Sequence, residues 1–320
     1  MSVPPLLSRL RLPVIGAPLF IISNPQLVIA QCTAGIVGSF PTLNARPASQ
    51  LDEWLHEITE ALAKHDRANP DRLAAQFAVN QIVHRTNDRF EADMVVCEKW
   101  KVPIVITSLG AREELNVAVH NWGGITFHDV IDDRFARKAI GKGADGLIAV
   151  AAGAGGHAGD WSPFALAQEI RDWFDGPLVL SGAIATGDAV LASQAMGFDL
   201  AYIGSPFIAT SEARCSEEYR QAIVEAGAAD IVNSDLFTGI HGNYLRSSIE
   251  RSGLDPDSLG AVAAAGTEFG SAGSAKSKAW RDIWGSGQGI GAVRKVQPAA
   301  DYIAQLVGEY EAARARLAAL

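Results

Sequence analysis

The sequence predicts an α/β fold: a parallel (β/α)8 TIM barrel with a small helical subdomain. Three observations predict it. Short apolar runs alternate eight times with segments of helical period. The runs are apolar throughout rather than alternating, as strands covered on both faces by helices must be. The Gly-rich and polar stretches fall directly after these runs, where barrel chemistry gathers. With 320 residues, 48% of them hydrophobic and 20% charged, the chain is long enough for one barrel plus an appended segment.

The elements follow in order. Val14-Ile15-Gly16-Ala17-Pro18 reads as the first strand. Asn24 then caps a helix with Pro25 at its first position, and Gly35 stops it. Ile36 to Phe40 is the second strand, followed by a helix with Leu51, Trp54, Leu55, Ile58, Ala61 and Leu62 on one face. Gln76 to Asn80 is the third strand, with a helix running to about Trp100. Pro103 to Ser108 is the fourth and Gly124 to Phe127 a weaker fifth. Gly146 to Val150, Leu178 to Ser181 and Leu200 to Ile203 complete the set. Eight units suit a closed barrel better than an open doubly wound sheet, and no Gly-x-Gly-x-x-Gly follows the first strand.

Beyond the eighth strand the pattern changes. Residues 1–215 plus 298–320 are assigned to the barrel, with a final amphipathic helix opened by Pro298. Residues 216–297 hold a helix and a Gly/Ala/Ser-rich stretch, and are assigned to a small helical subdomain, a lid over the barrel mouth.

Composition excludes several classes. The net charge is −9 and no Lys/Arg run forms a basic face, so no nucleic-acid partner is expected. No apolar run reaches the length of a membrane span. Arg9 and Arg11 before an apolar run resemble a signal peptide, but Pro13 and Pro18 interrupt it and a first barrel strand explains it better. Cys32, Cys97 and Cys215 are odd in number and far apart, which points to buried thiols in a cytoplasmic protein rather than to disulfides. No His/Asp/Glu cluster has metal-ligand spacing, so no metal is expected.

The candidate site lies at the strand–loop junctions. After the sixth strand comes Ala154-Gly155-Gly156-His157-Ala158-Gly159. Gly155 and Gly156 let backbone approach a flat or anionic ligand. His157 stands among small residues and can act as a base near neutral pH; the plain alternative is a surface-loop histidine. Ser181-Gly182-Ala183 and Gly204-Ser205 end consecutive strands. Loops in these positions build phosphate sites, with helix N-termini as donors. Asn80 ends the third strand with an amide that both donates and accepts, or else serves as a cap. Ala17, Pro18 and Leu19 form an uncharged rim suited to a flat ring. His128 and Asp129 follow the fifth strand and could face the mouth, but are expected to be solvated loop residues, and His56 and His65 to lie on an outer helix face. The spacing around His241 assigns it no role.

On these motifs the chain resembles the nitronate monooxygenase family, over most of its length. The most specific element is Gly155-Gly156-His157-Ala158-Gly159, similar to the family's Gly-Gly-His motif. Ser181-Gly182-Ala183-Ile184 and Tyr202-Ile203-Gly204-Ser205 resemble its two phosphate loops, and Phe77-Ala78-Val79-Asn80 its Gly-Val-Asn strand. Trp284-Gly285-Ser286-Gly287-Gln288 resembles its late Trp-x-Gly-Gln segment. Three positions depart: Val150 and Gly153 stand where the family often has Gln and Glu, and Leu19 where it has Met.

The resemblance implies FMN held non-covalently by the residues above, with His157 as catalytic base or anion-positioning group. It implies oxidation of nitronates or nitroalkanes with O2 to carbonyl compounds and nitrite. A homodimer is also an expectation. The alternative is an FMN-dependent NAD(P)H:quinone or enoyl-thioester reductase, told apart by bleaching of the flavin with a nicotinamide. A third reading is a phosphate-sugar barrel enzyme or binding protein, told apart by its lack of colour.

Overall fold

The structure is a computed structural model that describes residues 4–259 and 283–319. Much of the Gly/Ala/Ser-rich stretch lies outside the described residues. Eight parallel strands form the central sheet: β1 (Val14–Gly16), β2 (Gly38–Pro41), β3 (Phe77–Ile82), β4 (Ile104–Ser108), β5 (Ile125–Val130), β6 (Gly146–Val150), β8 (Leu178–Ser181) and β9 (Leu200–Ile203). β1 pairs with β9, and the bridge Ile15–Val37 joins it to the chain entering β2. Gly16 N donates to Val37 O at 2.7 Å and Val37 N to Val14 O at 3.1 Å, so the sheet closes into a barrel.

Strand alternation sorts the apolar residues into an interior and an outer shell. Ile15, Ala78, Ile104, Ile106, Phe127, Ile148, Val179, Leu200 and Tyr202 fill the barrel. The outward residues meet the helices: Leu147, Leu178 and Ala201 pack with Leu27, Leu166, Val190 and Leu306, and Val79 and Val105 with Leu51, Trp54, Leu55 and Ile58. All of these interior and outer groups are nearly or wholly removed from water, which is the main favourable contribution to folding.

Local sequence starts and stops the helices. Asn24 Oδ1 accepts from Leu27 N at 3.0 Å to open α1 (Pro25–Ala34), and Gly35, at φ +101°, closes it. α2 (Gln50–Ala68), α3 (Phe90–Lys99), α4 (Glu113–Asn121), α5 (Asp133–Gly141), α6 (Pro163–Arg171) and α7 (Gly187–Ala195) follow their strands. A C-terminal helix, Ala299–Ala318, packs on α1 and α7.

The region after β9 differs from a purely helical reading. It holds α8 (Glu217–Glu225) and α9 (Arg246–Arg251), but between them runs an antiparallel hairpin of β10 (Ile231–Ser234) and β11 (Gly242–Leu245). A third strand, β7 (Gly156–His157), comes from the loop after β6 and pairs with β11. The helical assignment of residues 216–297 is corrected accordingly. Its strands carry few apolar residues, so their signal is weak.

Candidate active site

The C-terminal ends of the parallel strands lie together at one end of the barrel. The residues just before them are buried, whereas Ala17, Pro18, Leu19, Ser108, Asp129, Val150, Gly182, Gly204 and Ser205 are half-buried. The mouth is therefore the less buried end of a filled barrel, the end at which barrel enzymes carry their sites.

One side of the mouth is built of backbone. A Cβ added at Gly204 would lie 3.3 Å from Leu19 Cδ2 and 3.4 Å from Ala17 Cβ, so the loops after β1 and β9 touch. Ser181 is buried at the end of β8, and its carbonyl accepts from Ala151 N at 2.8 Å. Gly182, at φ +148°, sits where a Cβ would come within 3.1 Å of Ala152 O. Ala183 is exposed in the left-handed region at φ +54°. Its amide and that of Ile184 form no hydrogen bond among the described residues.

Ser205 Oγ accepts from Gly287 N at 2.9 Å, and Gly155 is pressed between them. The segment Ser286 to Gly289 thus seats on the loops after β6, β8 and β9. Gln288 N donates to Gly153 O at 2.9 Å, and a Cβ at Gly153 would lie 2.9 Å from Gln288 Oε1.

The N-terminus of α7 does not contribute. Thr186 Oγ1 accepts from Ala189 N at 3.2 Å, and Gly187 N donates to Glu309 Oε2 at 2.8 Å. That end of the helix is satisfied by the C-terminal helix outside the barrel.

His157 is set in β7, opposite Gly242, rather than in a turn. Ala158 N donates to His241 O at 3.3 Å, and Asn243 Nδ2 donates to Ala154 O at 2.7 Å. His241 itself is exposed, its ring bonded to Asn233. His157 Nε2 lies 3.3 Å from Thr238 Oγ1, whose single proton goes to Ile240 O at 2.9 Å. The Thr238 hydroxyl is thus placed to accept from the ring, with the proton on Nε2 in that arrangement. Burial holds the imidazole below its ordinary pKa, which keeps it neutral.

Asn80 lies apart from the backbone cluster. It is buried, and its Nδ2 donates to Ser108 Oγ at 2.7 Å and to Ile106 O at 3.2 Å. Ser108 Oγ donates to Asp129 Oδ2 at 2.5 Å. The reading of His128 and Asp129 as solvated loop residues is corrected here. β5 runs to Val130, His128 points outward to a hydrogen bond with Thr107, and Asp129 points inward. Burial pushes the Asp129 carboxyl up to about 6 and the His128 imidazole down to about 4. Tyr202, also raised by burial, feels the Asp129 charge.

Among the described residues no group of acids, histidines and cysteines could hold a metal ion, and no helix is long and apolar enough to cross a membrane. Cys32 and Cys97 are buried, and Cys215 is half-buried.

A parallel barrel whose β8-loop amides form no hydrogen bond among the described residues, with a polar network across β3, β4 and β5, has the build of a barrel enzyme with its site at the C-terminal ends of the strands. Two features fit a phosphate-bearing group: the amides of Ala183 and Ile184 form no hydrogen bond among the described residues, and Asp129 Oδ1 is buried without a hydrogen-bond partner.

The family model of nitronate monooxygenase matches residues 6–309. A nitronate monooxygenase of Paraburkholderia phytofirmans is 26% identical over 353 aligned positions, covering 93% of this chain and 92% of that one. A nitronate monooxygenase of Neurospora crassa is 26% identical and covers 62% of this chain and 57% of its own. The nitroalkane oxidase structure of Streptomyces ansochromogenes superposes with a TM-score of 0.78 at 22% identity, over 97% of this chain and 99% of that one. FabK of Thermotoga maritima gives 0.78 at 22% identity, over 98% and 97%. The protein belongs to the nitronate monooxygenase family and is a flavin oxidoreductase.

Proposed function

We propose that the protein uses FMN, held non-covalently at the barrel mouth, to oxidise alkyl nitronates and nitroalkanes with O2 to carbonyl compounds and nitrite. The family match across residues 6–309, covering the strands that form the mouth, carries this reading. The placement of His157 supports it.

The amides of Ala183 and Ile184, with Ser205, would hold the phosphate beside Gly182. Ala17, Pro18 and Leu19 would give the ring an apolar rim, with the Asn80–Ser108 pair opposite. A flavin bound there would supply the electron transfer between the nitronate and O2. His157 acts before that with a neutral nitroalkane. The α-C–H bond breaks, the His157 imidazole takes the proton, and the electron pair moves into the nitro group. With a preformed nitronate the same ring positions the anion.

The test is an absorbance spectrum of the purified protein, then oxygen uptake on adding propyl-2-nitronate without NAD(P)H. Flavin bands with rapid uptake support the reading. Flavin bands without uptake, together with anaerobic bleaching by NADH or NADPH, transfer the assignment to the reductases. That second reading draws support from a Rhodococcus jostii carboxyl-CoA dehydrogenase, 24% identical over 79% of this chain. A cytoplasmic location is supported by the buried, unpaired Cys32 and Cys97 thiols. A homodimer is tested by the mass of the protein in solution.

A further inference from the structure

β5 carries an acid that the proposed reaction does not use. Asp129 follows Ile125 and Phe127 at strand period, and those two residues pack in the barrel interior, so its carboxyl faces the mouth. Oδ2 accepts the 2.5 Å hydrogen bond from Ser108, whose hydroxyl in turn accepts from Asn80 Nδ2 at 2.7 Å. The single Ser108 proton is thus committed to Oδ2. Any proton on the carboxyl must then sit on Oδ1, the oxygen that has no partner.

Among the described residues no cation answers this acid. β3 offers Asn80, β4 offers Ser108, β6 places Ile148 opposite, and β9 offers the phenol of Tyr202. His128 is turned outward to Thr107, with Lys138 and Lys142 of the outer helix region acting on it rather than on Asp129. An ionised carboxylate at the floor of an uncharged mouth is costly, and a neutral donor there is favoured.

We propose that Asp129 is an ionisable contact of the bound flavin. As a neutral acid its Oδ1–H donates to an acceptor on the ring system; as a carboxylate it opposes the negative charge that reduction adds to the ring. The inference rests on the flavin reading above. Asp129 therefore makes both flavin affinity and flavin potential depend on pH in the range where the carboxyl titrates, near 6.

The experiment measures flavin dissociation constant and reduction potential, by anaerobic titration against redox dyes, from pH 5 to 8. It compares the wild-type holoenzyme with Asp129→Asn, which still accepts from Ser108 but cannot ionise. In wild type, affinity should fall with rising pH, by about tenfold for each unit by which flavin raises the carboxyl's pKa. The potential should fall more steeply than in the variant, which should be the higher of the two at pH 8. Ser108→Ala removes the hydrogen bond that favours the carboxylate, so it should move the wild-type inflection to higher pH. This variant decides the matter should Asp129→Asn fail to fold. Parallel curves for wild type and Asp129→Asn, or an inflection unmoved in Ser108→Ala, overturn the role of Asp129 alone. A wild type that binds no flavin at any pH overturns the flavin reading and this inference with it.

Discussion

Ser205 Oγ and Gly287 N, 82 residues apart in sequence, are joined by a 2.9 Å hydrogen bond across the mouth of the barrel. The bond fixes the late Gly-rich segment to the loop after β9, with Gly155 held between them. A methyl group at Gly155 would lie 2.7 Å from Gly287 N and 2.8 Å from Ser205 Oγ, too close for either backbone or hydroxyl to remain. Gly155→Ala is therefore expected to displace this segment and weaken FMN binding by about tenfold or more, a loss of about 1.4 kcal/mol. Flavin fluorescence quenching measures the affinity, and far-UV circular dichroism should stay unchanged. Undiminished affinity would show that the seat of Gly287 is irrelevant to the cofactor.

His157→Asn should lower kcat with a neutral nitroalkane by about 10²- to 10⁴-fold, the usual contribution of a positioned base, and leave FMN bound. Because burial depresses the His157 pKa, its neutral form persists below the ordinary histidine range. Activity with nitroalkane should hold as pH falls through 6.5 and decline only below it. With a preformed nitronate the acidic limb assigned to His157 should be absent. Steady-state oxygen uptake from pH 5 to 8 with both substrate forms tests this. Loss of flavin from the variant would count against a catalytic role.

Most of the barrel was legible because its strands are short, apolar throughout and closed by Gly-rich loops. What failed was the end of β5. Taking Phe127 as its last residue left His128 and Asp129 in a loop, whereas the strand runs to Val130. Period-2 alternation from Ile125 and Phe127 was the signal that would have turned Asp129 inward. The strand β7 offered no such signal, since two residues, Gly156 and His157, have no periodicity, and their partner β11 lies more than 80 residues away. The satisfied N-terminus of α7 was equally hidden, because Glu309 reaches it from 122 positions downstream.

His128 and Asp129 are neighbours that pull stability in opposite directions with pH. The folded His128 pKa of about 4 lies below its ordinary 6.5, so its contribution is complete above 6.5 and lost as pH falls through 4. That loss approaches about 3 kcal/mol, at about 1.4 kcal/mol per unit. The folded Asp129 pKa of about 6 lies above its ordinary 3.8, so stability is lost as pH rises from 3.8 through 6. His128→Gln should remove the first trend and expose the second. Between pH 4 and 6 the variant's urea midpoint should fall with rising pH more than that of wild type. A variant profile parallel to wild type would rule out His128 as the titrating group.

At the opposite end of the barrel, Arg171 holds the starts of β8 and β9 together. Its Nη2 meets Asp199 Oδ2 at 2.7 Å, Nε donates to Gly197 O at 2.7 Å, and Nη1 donates to Phe174 O at 3.0 Å and Gly176 O at 2.7 Å. Asp199 Oδ2 also accepts from Leu178 N at 2.8 Å. Both side chains are largely shielded, with 14% and 9% exposure, so removing the guanidinium strands a carboxylate and three carbonyls. Arg171→Ala should cost about 3 kcal/mol. Arg171→Lys should recover only part of this, because one ammonium cannot span acceptors arranged for a planar fork. FMN affinity should be unchanged in both variants while they remain folded, since these contacts lie at the N-terminal face of the strands and the mouth at the other. Urea unfolding and FMN titration on the same samples separate the two effects. Loss of affinity in step with stability would mean that the two faces are coupled through β8 and β9.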